Sequence, residues 1–120
     1  LILGDGGAAK AVQFVLNKLN IPFKTVSRKS DLNFENITEE IVAENPLIIQ
    51  CTPVGTFPEV ENHLNFPFSG VTPNHLAIDL IYNPAETAFL RKSAENGAKT
   101  VNGLYMLEQQ AEKAWEIWNF

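Results

Sequence analysis

The patterning of this chain predicts an α/β domain: a doubly wound parallel sheet with helices on both faces, in three layers. Apolar runs of strand length alternate with stretches of helical period along the sequence. From Leu1 to Ser27 the chain reads strand, glycine turn, helix, strand, the size of one βαβ unit. With 120 residues there is room for a single core.

Taken in order, Leu1-Ile2-Leu3 is a short buried strand and Gly4 to Gly7 a turn. From Ala8 a helix begins whose Val12, Val15, Leu16 and Leu19, three and four apart, form the expected core-facing stripe. Asn20 ends it and Pro22 prevents its return. Phe23 to Ser27 is the second strand, and the polar stretch from Arg28 to Asn36 is a loop. Thr38 caps a short helix whose apolar side is Ile41 and Val42, stopped at Asn45-Pro46. Leu47 to Cys51 is a third strand, apolar enough to be covered on both faces.

The connection over 52–74 carries four of the seven prolines, and its Phe57, Phe66 and Phe68 argue that it is ordered. His75 to Leu80 is a fourth strand. Pro84 opens a helix with Phe89, Leu90 and Ala94 inward and Gly97 as its stop. Ala98 to Val101 is a fifth strand. A last helix follows Asn102-Gly103, with Leu104, Leu107, Ala111, Ala114, Trp115 and Trp118 on one broad face.

Composition removes several function classes. Nine Lys and Arg stand against fourteen Asp and Glu, giving net −5 and a pI near 4.9. No basic patch is available to neutralise nucleic-acid phosphates. No apolar run approaches the roughly 20 residues that cross a bilayer as a helix. The lone Cys51 has no intramolecular partner, and no Cys/His spacing suggests a metal site. A soluble, cytoplasmic domain is the expectation.

The glycine turn carries the first chemistry. Gly4-x-Gly6-x-x-Ala9 lies after a strand and opens a helix, the context of a dinucleotide-binding, Rossmann-like turn. Gly4 permits the tight turn, Gly6 lets backbone approach a pyrophosphate, and small Ala9 lets the helix pack close. Free N–H groups of the first helical turn favour the pyrophosphate charge. The end of the second strand then selects the cofactor. Where NAD-binding domains place an acid for the ribose hydroxyls, this chain has Ser27-Arg28-Lys29-Ser30, cations suited to a 2′-phosphate. NADP is therefore favoured over NAD. Asp31 comes slightly too late to be the ribose acceptor, yet is the residue that could restore NAD.

Four motifs, spread from Leu1 to Trp118, resemble the C-terminal NADP-binding domain of shikimate dehydrogenase. They are Gly4 to Ala11, similar to the family's glycine-rich turn; Ser27-Arg28-Lys29, in the place of its Asn-Arg-Thr clasp; Cys51-Thr52-Pro53-Val54-Gly55, similar to its Ala/Cys-Thr-Pro-x-Gly loop; and Asp79 to Pro84 together with Gly103 to Ala111. Ser27, Lys29, Thr56, Tyr105 and Glu108 depart from the commonest residues of those motifs.

The resemblance implies an NADP-dependent oxidoreductase interconverting 3-dehydroshikimate and shikimate in aromatic amino-acid biosynthesis. By matching position, Gly4, Gly6, Gly7, Ala8, Ser27, Arg28, Lys29, Thr52 and Pro53 would meet the cofactor. Gly103 and Met106 would line the nicotinamide pocket, and Tyr82 and Gln110 would reach the substrate. It also implies that the catalytic Lys and Asp lie in an N-terminal substrate domain, with Leu1 at the seam. On that reading residues 1–120 form the cofactor domain, inactive alone. A quinate/shikimate dehydrogenase variant and a non-catalytic NADP-binding regulatory module are the alternatives. Cys51, His63, His75, the Trp115 and Trp118 pair, and Glu39, Glu40 and Glu44 are read as packing or solvated groups.

Overall fold

The structure, a computed structural model, describes residues 1–54, 64–81 and 85–103. Phe57, His63, Tyr82, Pro84, Met106, Gln110 and the expected last helix lie outside them. The described elements run β1 (Ile2–Leu3), α1 (Gly7–Lys18), β2 (Thr25–Val26), α2 (Glu39–Glu44), β3 (Leu47–Gln50), β4 (Leu76–Asp79), α3 (Ala88–Glu95) and β5 (Lys99–Val101). The strands form one parallel sheet in the order β2-β1-β3-β4-β5.

Alternation along each strand divides the core between the two faces. Leu1, Leu3, Val26, Ile48 and Ala77 pack with Val42 of α2 and with Phe89 and Leu90 of α3. Ile2 and Ile49 pack instead with Ala9 and Leu16 of α1, flanked by half-buried Val12, Phe23 and Ile78. Helices therefore cover both faces, as the chain's patterning predicts.

The stripe expected on α1 is narrower than its spacing suggests. Leu16 is buried, but Val15 is 50% and Leu19 62% exposed. The helix rests on short β1 and touches the sheet along the line of Ala9, Val12 and Leu16. Its end follows expectation. Asn20 adopts φ 57° and the Ile21 N–H reaches back to the Leu16 carbonyl at 2.9 Å, a left-handed stop that Asn tolerates.

Helix α3 begins later than Pro84 implies. Its N-cap is Thr87, whose Oγ1 accepts the Leu90 N–H at 3.2 Å. Ala94 is exposed and Ser93 faces inward, donating to the Phe89 carbonyl at 2.8 Å. Thr38 caps α2 as expected, accepting the Ile41 N–H at 3.3 Å.

The described part of the long connection is ordered by its aromatics. Phe66 and Phe68 meet edge-on with centroids 5.2 Å apart, and both pack against Phe89. A 3-10 turn at Phe68–Gly70 then lies directly on α2. His75 is buried: its Nε2–H donates to the Val42 carbonyl at 2.7 Å while Nδ1 accepts the Thr72 N–H at 3.1 Å. That packing role ties the start of β4 to α2.

Gly70 is where this contact is tightest. A Cβ there would overlap the Glu39 carbonyl oxygen and lie 2.9 Å from the Val42 Cβ. Gly70→Ala is expected to cost about 1–3 kcal/mol of stability, the range for overpacking a tight contact. Urea denaturation measures this, and an unchanged midpoint would contradict the close approach.

Candidate functional site

Because every strand is parallel, β1, β2, β3 and β4 release their following loops on one edge. Leu3 pairs with Val26 on one side and Gln50 on the other, so Gly4, Ser27 and Cys51 emerge side by side. The chain leaves β1 toward β2 and returns to β3 on the opposite side. Such a reversal of strand order opens a crevice at the carboxyl edge, where α/β sheets bind ligands.

A cavity of about 530 Å³ lies at this point. Gly4, Asp5 and Gly6 line it from the turn, Ser27, Arg28 and Lys29 from the end of β2, and Cys51, Thr52, Pro53 and Val54 from the loop after β3. Phe34 and Leu64 also line it.

Each wall has a local cause. Gly4 has φ 117°, which side-chain-bearing residues rarely adopt, and a Cβ there would stand 3.1 Å from Thr52 Cγ2. The turn and the β3 loop are thus held in contact. Gly6 is the N-cap of α1 and offers no side-chain cap. The first intrahelical bond runs from the Lys10 N–H to the Gly6 carbonyl, so the Gly7, Ala8 and Ala9 N–H groups precede the helical ladder. A Cβ at Gly6 or Gly7 would meet nothing within 4 Å. Among the described residues no atom requires glycine there for space, which leaves room at the helix start for a ligand.

On the second wall a tight turn closes with the Ser30 N–H on the Ser27 carbonyl at 3.3 Å. The buried Ser27 hydroxyl bonds the Ser30 hydroxyl at 2.7 Å. Arg28 and Lys29 are left exposed at the tip, beside the cavity. The following loop is fixed by reciprocal Asn side chains: Asn33 Oδ1 accepts the Glu35 and Asn36 N–H groups, and Asn36 Oδ1 accepts the Asn33 N–H at 2.7 Å. This presents half-buried Phe34 to the cavity.

Electrostatics separate the cavity's rim from its floor. Burial, with the Asp79 charge nearby, pushes the Cys51 thiol up to about 12, so it stays protonated and a poor nucleophile. Burial likewise pushes the Asp79 carboxyl up to about 6, against hydrogen bonds from Thr87, Ile81 and Gln50 that favour its charged form.

No family model matches the chain. It is 37% identical to shikimate dehydrogenase (NADP(+)) of Methanococcus maripaludis, over 98% of this chain and 48% of that protein. Among solved structures, shikimate 5-dehydrogenase from Thermus thermophilus, in complex with NADP(H) and shikimate, matches with a TM-score of 0.80 and 28% identity, over 98% of this chain and 47% of that one. The Listeria monocytogenes enzyme, in complex with shikimate and NAD, matches with a TM-score of 0.80 and 25% identity, over 98% and 50%. Over nearly its whole length the chain is similar to these shikimate dehydrogenases. It spans about half the length of the curated relatives it matches.

Within this shikimate dehydrogenase framework, Gly4, Gly6, Ser27, Arg28, Lys29, Thr52 and Pro53 share one cavity. Gly7 and Ala8 are exposed at the first turn of α1 without lining it. Gly103 lies elsewhere, its N–H on the Ile81 carbonyl at 3.0 Å. Met106, Tyr82 and Gln110 fall outside the described residues. Cys51 is half-buried and reaches the cavity wall, not the deep core. Phe34 and Leu64 join the site unforeseen. An aromatic residue inside a polar loop was a visible signal for Phe34, whereas Leu64 has none.

The Asp79 shift has a consequence for stability. Its folded-state value lies above the ordinary carboxylate value of 3.8, so between those limits the folded chain holds a proton that the unfolded chain has released. Stability from this group is therefore present in acid and lost as pH rises through about 6. Asp79→Asn removes that slope. Urea denaturation at pH 4 and pH 7 should show the wild type losing more stability than the variant, by about 1–3 kcal/mol; a parallel response would contradict the shift.

Proposed function

We propose that residues 1–120 form the NADP(H)-binding domain of a shikimate dehydrogenase, which interconverts 3-dehydroshikimate and shikimate. One observation carries this reading: the Ser27–Ser30 turn sets Arg28 and Lys29 beside the same cavity that the glycine turn opens into. The chemistry of the donor set fits a phosphorylated dinucleotide. Amide N–H groups at the start of α1 suit a pyrophosphate, and the paired cations suit a 2′-phosphate. The cavity volume is that of a small-molecule site.

In this reading the chain's work is binding and orientation. Gly4 and Gly6 keep the backbone low, and the Gly7 and Ala8 amides face the pyrophosphate. Ser27 anchors the turn that carries Arg28 and Lys29, while Thr52 and Pro53 wall the far side. Gly103 and Met106 line the nicotinamide pocket, and Tyr82 and Gln110 orient the substrate. When bound, the nicotinamide supplies the hydride that reduces the substrate carbonyl. A further N-terminal domain supplies the acid–base Lys and Asp, so this chain alone binds NADP(H) without turning over shikimate. A free thiol at Cys51 suits a cytoplasmic setting.

Fluorescence titration tests the assignment. Arg28→Ala should weaken NADPH binding by about tenfold, the loss of one charge-assisted contact, and leave NADH binding unchanged. Tighter binding of NADH than NADPH by the wild type would favour NAD instead, the cofactor present in the Listeria monocytogenes structure.

A further inference from the structure

A buried polar cluster lies behind the cavity wall, and the cofactor reading above gives it no task. Gln50 and Asp79 are register partners on adjacent strands β3 and β4, and neither side chain reaches solvent. Neighbouring strands run about 4.8 Å apart, so partnered side chains on one face meet.

The Gln50 amide is spent entirely on the loop that follows it. Its Oε1 accepts the Thr52 N–H. Its Nε2 donates to the Thr52 carbonyl at 3.1 Å and the Val54 carbonyl at 3.3 Å. One side chain thus satisfies backbone groups that leave the sheet at the end of β3. Asp79 stands beside that amide on β4. Its Oδ2 accepts the Thr87 hydroxyl at 2.7 Å and its Oδ1 accepts the Ile81 N–H at 3.0 Å, which holds the carboxyl group next to the Gln50 side chain on the neighbouring strand.

We propose that Gln50, oriented by Asp79, is a positioning residue for cofactor binding: it clamps Thr52–Val54 as the cavity wall facing the glycine turn. The proposal rests on the NADP(H) reading above. Two features of the cavity call for such a clamp. Thr52, Pro53 and Val54 all line the cavity, so their backbone position sets its width. Thr52 also stands against Gly4, so a shift of the loop presses on the turn itself. Packing alone would be served by an apolar residue, because an amide buried in the sheet costs free energy unless every polar atom is satisfied.

The groups around Asp79 make its titration readable. Gln50 from β3, Thr87 from the start of α3, and Thr100 and Val101 from β5 carry no charge. Among the described residues the Cys51 thiol is a titratable neighbour, and it stays protonated far above neutrality. Protonating Asp79 near pH 6 therefore changes the charge beside the clamp without another of these described groups titrating.

The test uses the 120-residue chain. Gln50→Met keeps the side chain's length and removes its hydrogen bonds, and should weaken NADPH binding by about tenfold or more. Where Gln50→Met does not fold, Gln50→Glu serves, since it keeps the acceptor for the Thr52 N–H and loses both donors. In amide NMR spectra without ligand, the Thr52 resonance of the wild type should titrate between pH 5 and pH 7, and Asp79→Asn should abolish that response. A purely structural role would not couple Thr52 to Asp79 in this way. Wild-type affinity for NADPH in a folded Gln50 variant, or a Thr52 resonance indifferent to Asp79, would overturn the proposal. Failure of the wild type to bind NADPH at all, with the Thr52 titration intact, would instead overturn the cofactor reading on which it rests.

Discussion

The in-register wedging of β1 between β2 and β3 is the constraint on which the site depends. Leu3 is bonded into both neighbours, so three chain segments must leave the sheet at one level: Gly4, Ser27 and Cys51. Slipping any pair by one residue would exchange the two faces of that strand, moving Ile2 or Ile49 out of the α1 side. The hydrophobic division of the core therefore fixes the height of the loops as well as the fold. A crevice follows wherever the chain reverses direction across such an edge, and here its walls are a glycine turn, a cationic turn and a proline loop.

Those walls differ in how they are held. The glycine turn is fixed by backbone conformation at Gly4 and by its contact with Thr52. The cationic turn is fixed by its own hydrogen bonds, which leave Arg28 and Lys29 exposed and adaptable. The loop after β3 is bonded by Gln50, which with its neighbours Asp79 and Thr87 is fully withdrawn from water. Thr87 serves twice there, capping α3 and donating to Asp79. The beginning of α3 and the wall of the cavity consequently share one polar junction.

Much of this was legible in the chain itself, where local chemistry decided the outcome. The order of strands and helices, the turn at Gly4, the cap at Thr38 and the stop at Asn20 all rest on neighbouring residues. Expectation failed where the deciding contact was distant. Val15 and Leu19 have the right spacing for a core stripe, but the two-residue strand beneath α1 leaves them exposed. Pro84 is a reasonable helix start, yet Thr87 has a buried carboxylate to bond and takes the cap position. Gln50 was unreadable for the same reason: its role exists only once register sets Asp79 beside it.

In the proposed function the crevice beside β1 takes NADP(H) with its charges where the sequence places donors. A crystal structure of this chain grown with NADP⁺ tests it most directly. The pyrophosphate is expected at the first turn of α1, against the Gly7 and Ala8 amides, and the 2′-phosphate between Arg28 and Lys29. A cofactor bound away from the glycine turn, or with its 2′-phosphate turned from both cations, would contradict it.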